Sequence, residues 1–394
     1  MMPTAADPYA LHWSMYPRHY IAPRVSKPLV IDGNIEKPEW QAVPFSEPFD
    51  EIRGKEDAPD GTHPPESCQT RMKMMWDDDF LYICALIESD FTVTANFTKR
   101  NEPIFQKDSD FEVFLDPPGS CHMYKEFEMN AINTVWNLML DKPYDDDGHE
   151  HSARIAGPGK EDYYEVYAQK TAAKVVKGTI GDPKGATWAV ELAFAHSDTI
   201  SKNPLATRLP RQGDRWRINF SRVEHEGDTN WTWQAQRVWD PEKKRVTGKV
   251  AMHLPDSWGY VEFGSPFDEG SKSTFQGEVS VKDALATKRC DPAWPARLTV
   301  MNIYYAQRRY AQLNSGHYAP DVASLIELDL VDPDILHPFM DSQDSNAIII
   351  NTSDGGKTYK ASVVDLVNRL RATVTDERLL TVERIGNEIS SSVS

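Results

Sequence analysis

Carboxylates and guanidinium groups recur at alternate positions in three stretches of this sequence, and an alternating pattern puts them on one face of a strand. In "DFEVFLD" Glu112 goes with Phe114 and Asp116, opposite Phe111, Val113 and Leu115. In "EFEMN" Glu126, Glu128 and Asn130 oppose Phe127 and Met129. In "RWRINFSR" Arg215, Arg217, Asn219 and Ser221 oppose Trp216, Ile218 and Phe220. If these strands share a sheet, Glu112, Glu126, Glu128, Arg215 and Arg217 build a surface of acceptors and rigid forked donors suited to vicinal hydroxyls. The same pattern also fits a solvated face crossed by ion pairs, each worth under about 1 kcal/mol. A catalytic version uses Glu112 and Glu128 as acid and base against Arg217, with burial raising one pKa. No GxSxG nucleophile turn is present.

Aromatic side chains offer a second chemistry. "NWTWQAQRVW" places Trp231, Trp233 and, if the strand continues, Trp239 on one face, with Thr232, Gln234 and Gln236 on the other. Exposed indoles stack on sugar rings and amides read hydroxyls, whereas an inward-facing ladder serves as core. In "NTVWNLMLDKPYDDDGHEH" Trp136 alternates with Leu138 and Leu140, while Val135 and Met139 take the other face. A strand apolar on both sides is central, so Trp136 is either core or the floor of a pocket at the strand end. The Asp run that follows is expected to be an exposed turn, and any Ca²⁺ there would use Asp145 or Asp147 with backbone carbonyls. Asp runs also make ordinary turns. His149 and His151 lack a third ligand of matching spacing. A haem reading would need an axial pair from Met72, Met74, Met75 or Met129 with His196 or His253, although Met in apolar strands usually packs.

The elements that must position these groups are short strands. From residue 28 to 264 the chain reads as β-branched and aromatic runs separated by Asp, Gly, Pro and Asn clusters, with no long helix between them. That pattern predicts a mainly β fold, an antiparallel β-sandwich of jelly-roll or immunoglobulin-like type. Residues 1–27 read as an N-terminal arm and 265–291 as a Gly, Ser and Lys-rich linker. Residues 292–394 read as a small α+β tail: a helix with Leu298, Met301, Tyr305 and Ala306 at helical spacing, then strands at "NAIIINTS", "KTYKASVV" and "RLLTVERI".

Composition narrows the partners. With 394 residues and a formal net charge of −17 the chain is ill suited to nucleic acid or to an anionic membrane, and a neutral or cationic ligand fits better. The expected partner is a carbohydrate or small polar molecule. No apolar run of about 20 residues is available for membrane insertion. "MMPTAADPYALHWSMYPRHYIAPRV" has no apolar core of a secretory signal, which leaves a cytoplasmic location, or an extracellular one if the signal lies outside this sequence. Four widely spaced cysteines signal neither a zinc ribbon nor a dense disulfide framework. A glycan on the sequon at Asn219 is excluded if "WRINFSRV" is buried.

Taken in order, "LVIDGNIEKPEWQAV", "MKMMWDDDFLYICALIESD", "KDSDFEVFLDP", "YKEFEMNAINTVWNLM", "TWAVELAFA", "RWRINFSRVE" and "PDSWGYVEFG" resemble the family-9 carbohydrate-binding-module-like proteins over residues 28–264. The resemblance implies a β-sandwich of the broad class that includes sugar- and haem-binding DOMON modules, a sugar held between two Trp rings, polar side chains on its hydroxyls, and structural calcium. It also implies that Trp76, Asp77 and Asp79 belong to the framework. The tail stretch "MNIYYAQRRYAQLNSGHYAPDVASLIEL" resembles the helical region of pilin-like proteins but lacks their apolar start, which suits a docking appendage.

Overall fold

The computed structural model describes residues 7–266, 277–340 and 347–386. Residues 267–276 of the linker expected at 265–291 lie outside these residues. In chain order the strands are β1 (His19–Arg24), β2 (Asp50–Glu51), β3 (Thr70–Trp76), β4 (Phe80–Glu88), β5 (Asp110–Asp116), β6 (Tyr124–Asn130), β7 (Val135–Leu140), β8 (Glu150–Ser152), β9 (Lys170–Gly178) and β10 (Ala186–Ala195). There follow β11 (Arg215–Glu224), β12 (Thr229–Thr232), β13 (Arg237–Asp240), β14 (Arg245–Gly248), β15 (Gly259–Pro266), β16 (Gly277–Val279), β17 (Ile348–Ser353), β18 (Thr358–Asp365), β19 (Leu370–Thr375) and β20 (Leu380–Arg384).

Two compact units emerge: residues 17–236 with 248–284, and residues 1–16 with 237–247 and 285–394. The larger is mainly β and holds the strand path β8-β7-β6-β5-β11-β15-β1-β3-β4-β10-β9. Neighbours along it are antiparallel except at β1, which runs parallel to β15 and pairs with β3, also in parallel, at Arg24 opposite Trp76. At that corner the path folds back. Phe111, Val113 and Phe127 from one half meet Met74, Ile83 and Leu192 from the other in one apolar core, and the Phe127 and Phe194 rings lie 4.9 Å apart across it. The alternation read in "DFEVFLD" is the cause, since its Phe111, Val113 and Leu115 are the side chains that enter this core.

The described part of the expected N-terminal arm is therefore not free. His19–Arg24 is a buried central strand, and β16 from the expected linker pairs with it. Its short run interrupted by Pro23 gave little strand signal.

Two acidic groups fix the framework turns. The Glu191 carboxylate on β10, fully buried, accepts the backbone N–H groups of Asp32 (2.9 Å) and Gly33 (3.0 Å), the Lys37 ammonium (2.7 Å) and the Trp40 indole N–H (2.8 Å). It ties the "VIDGNIEKPEW" segment to the sheet. In the "WDDDF" turn Asp77 accepts from the backbone N–H of Asp79 and of Phe80 and from the Tyr82 hydroxyl.

In the smaller unit a helix at Trp294–Leu313 packs on β18 and β19 of the antiparallel sheet β17-β18-β19-β20. Pro295 sits in its first turn, where a missing N–H costs nothing. Met301 and Ala306 are buried as the spacing predicts, whereas Leu298 and Tyr305 are only half-buried. All four cysteines are free, buried thiols.

Candidate functional site

Strand register places the acidic side chains in one row across the sheet. Ser221 on β11 stands opposite Glu112 on β5, Glu112 opposite Glu128 on β6, and Glu128 opposite Trp136 on β7. Beside this row, Asp110 stands opposite Asn130 and Val223, and on its other side Glu126 stands opposite Phe114 and Leu138. All of them occupy the face turned away from the main core, because alternate positions share a face.

That outer face is covered rather than solvated. Ile52, Ile104, Met252 and Trp258, brought from distant loops, close over Phe114 and Leu138 in a second apolar cluster. Trp136 is 3% exposed. The half-exposed Phe105 stacks on it at 5.9 Å and 16°, and the Arg154 guanidinium lies 4.9 Å from its ring while pairing with Glu150.

Two carboxylates directly opposite each other repel, and burial strengthens the repulsion. Burial, followed by the charges of its neighbours, drives Asp110, Glu126 and Glu128 well above the usual carboxylate range. Burial pushes Glu112 up to about 8. His253, whose Nε2 is 3.9 Å from Glu126, is itself pushed down to about 4 by burial, so at neutral pH it brings no positive charge.

Some of the polar atoms here are satisfied. Asp110 accepts from the Val223 N–H at 3.1 Å and Glu128 from the Phe105 N–H at 3.2 Å. Three are not: Asp110 Oδ2, Glu128 Oε1 and Trp136 Nε1 are buried without a hydrogen-bond partner, while the buried Ser221 hydroxyl has only the Glu112 carboxyl beside it. Each such group costs about 1–3 kcal/mol unless water or a ligand meets it. Oxygens of Asp110, Glu112 and Glu128 lie within 4.8 Å of one another, the one such acidic group among the described residues.

The structure brings Glu112, Glu126, Glu128 and Trp136 together, as the alternation predicts, but leaves the expected guanidinium partners elsewhere. Arg217 stands opposite Asp116, donates to the carbonyls of Pro255 and Asp256, and covers the Tyr260 ring. Arg215 pairs with Glu262 at 3.5 Å. The acid–base reading therefore loses its arginine. Asn130 shares the face, yet its amide is used by Phe97, Asp108 and Thr134 in the adjoining loop. Trp231 and Trp233 are 5% and 1% exposed and belong to the main core, with their indole N–H groups on Thr62 and Glu278. Gln234 accepts the Arg18 N–H. The strand read through "NWTWQAQRVW" breaks after Thr232, and Trp239 goes with the smaller unit.

The turn after β7 is exposed at Asp145 and Asp147, and Asp147 takes a left-handed backbone (φ 61°). Among the described residues the group of three carboxylates that approach one another lies on the β5–β6 face. Met72, Met74, Met75 and Met129 are all core residues, and His196 Nε2 engages the Asp77 carbonyl. Reading the sequence missed Asp110, Phe105 and Arg154. Asp110 carries the parity of Glu112 and was legible, whereas nothing local marks Phe105 or Arg154 as neighbours of Trp136.

Residues 31–204 match the family model described as carbohydrate family 9 binding domain-like, and this region is a domain of that kind. No curated protein matches the chain. Among solved structures, the chain is similar to a carbohydrate binding module family 9 from Caldicellulosiruptor kristjanssonii in complex with cellotriose, at 15% identity over 64% of this chain and 97% of that one, with a TM-score of 0.37. The glucose complex of a family 9 module from the same organism gives 14% identity, 64% and 99% coverage, and a TM-score of 0.38.

Proposed function

We propose that this family-9-like domain binds a carbohydrate, or a polyol like it, on the outer face of β5, β6, β7 and β11. The observation that carries the reading is the set of unmet polar atoms around Trp136: carboxylate oxygens of Asp110 and Glu128 and the indole N–H. Vicinal hydroxyls donate to the carboxylates and accept from the indole, while the Trp136 ring offers an apolar face. The family match over residues 31–204 supports the same reading. Phe105, on a short turn at Ile104–Gln106 and 36% exposed, occupies the place on that ring where a sugar would stack, so binding requires it to swing out.

The test is calorimetry with neutral, acidic and amino sugars and their short oligomers. Specific binding is expected, lost in Trp136→Ala and retained or strengthened in Phe105→Ala. Absence of binding across all three sugar classes, or unchanged binding in a natively melting Trp136→Ala variant, refutes the reading.

A further inference from the structure

We infer that His149, His151 and Asp162 form a surface site for a divalent transition metal of the zinc class. His149 directly precedes β8 and His151 lies within it, and side chains two positions apart in an extended chain leave it on the same side. Glu150, between them, turns the other way to Arg154. The third ligand, which spacing in the sequence does not show, comes from the segment after β8: Nε2 of His149 and Nδ1 of His151 each lie 3.6 Å from the same Asp162 Oδ1. Two ligand atoms at about 2.0–2.2 Å from one tetrahedral ion are about 3.3–3.6 Å apart, and two imidazole rings on it have centroids about 5 Å apart. Here the rings are 5.4 Å apart at 82°. They need to turn rather than to approach, and the exposed His149 has room to do so.

The backbone sets this arrangement independently of the three side chains. β8 pairs with β7 with His151 opposite Met139, the His149 N–H donates to the Asp141 carboxylate at 2.6 Å, and the Ser152 N–H donates to the Asp162 carbonyl at 3.0 Å. The ligands hang on a main chain that is already tied together, which lowers the cost of ordering them. No other cation claims the carboxylate: among the described residues Asp162 pairs with these two histidines and with no lysine or arginine. Two imidazole nitrogens and one carboxylate suit zinc and its neighbours, whereas calcium and magnesium take oxygen ligands. The site uses none of the groups assigned to the sugar and stands or falls apart from that reading.

The test takes the full chain without a histidine tag, reduced and stripped by chelator. It is titrated with zinc(II) against a chromophoric competitor, and with cobalt(II) followed by visible absorption. Saturable binding of one ion is expected, indifferent to excess calcium(II), with a rise in melting temperature on adding zinc. The cobalt spectrum should be free of thiolate charge-transfer absorption, because the four cysteines are buried elsewhere as free thiols. His149→Ala, His151→Gln and Asp162→Asn should each weaken zinc binding at least about tenfold. His149 and Asp162 are exposed, so His149→Ala and Asp162→Asn should melt as wild type does without metal, and misfolding offers no escape. Asp110→Asn/Glu112→Gln, on the acidic face, should bind zinc as wild type does. Absence of saturable binding, a thiolate band, displacement by calcium, or unchanged affinity in His149→Ala or in Asp162→Asn overturns the inference.

Discussion

Replacing Glu191 with Gln should destabilise the larger unit by about 3–5 kcal/mol. The carboxylate is fully buried and accepts four hydrogen bonds, two from backbone, one from the Lys37 ammonium and one from the Trp40 indole. Gln keeps one acceptor oxygen and turns an NH₂ group toward donors, leaving the partly exposed Lys37 ammonium with Asp32 at 2.9 Å but without its buried partner. Hydrogen bonds to a charged group contribute about 1.5–3 kcal/mol each, and breaking one side of a buried ion pair costs about 3–5 kcal/mol, so the pair term sets the figure. At about 2–4 °C per kcal/mol for a unit of this size, the melting temperature should fall by roughly 6–20 °C. Urea unfolding followed by circular dichroism measures the loss directly. Lys37→Met and the double variant complete a cycle, in which the double variant should be less damaged than the sum of the singles. A loss below about 1 kcal/mol for Glu191→Gln, with additive singles, would show that the carboxylate does not hold the opening segment to the sheet.

Two other perturbations test the packing. His12 is fully buried with Nε2 near Thr299 Oγ1 and the Ile335 carbonyl, and burial pushes its pKa from 6.5 down to about 4. A group kept neutral in the fold contributes fully above pH 6.5 and loses that contribution as pH falls toward 4, so wild type should lose about 2 kcal/mol more between pH 7 and pH 5 than His12→Gln does. Equal losses in urea titrations would contradict this. Gly259→Ala places a Cβ against the Trp233 ring and should cost about 1–3 kcal/mol with altered near-ultraviolet dichroism; a native melt would mean that Trp233 does not fill the core.

The faces of the strands were legible because side-chain parity is local: Glu112, Glu126 and Glu128 lie on the side that alternation assigns them. Which strand lies beside which, and in what register, is not local. Arg217 follows the parity rule and still misses the acids, because the β5–β11 ladder sets it against Asp116, four positions along from the Ser221–Glu112 pair. Parity also does not say which face is inside, so Trp233 and Trp136 looked alike in sequence although one fills the main core and the other floors the acidic face. The cover itself comes from Ile52, Ile104 and Met252, residues far from β5 in the chain, and no window on the sequence joins them. In the tail, β19 was missed although Leu370, Ala372 and Val374 alternate along "LRATVT" and are buried.

The corner strand β1 carries a consequence for how the chain is made. Residues 19–24 hydrogen-bond to residues 260–266, so the first strand of this unit waits for nearly its last before its parallel edge is covered. Until then the two halves of the sandwich can form hairpins but cannot be closed at the corner, and pairing over so long a separation is slow. A fragment cut to residues 31–204 lacks β1, β11 and β15 together. It would carry most of the apolar faces with none of the strands that join them, and is better suited to aggregation than to ligand binding.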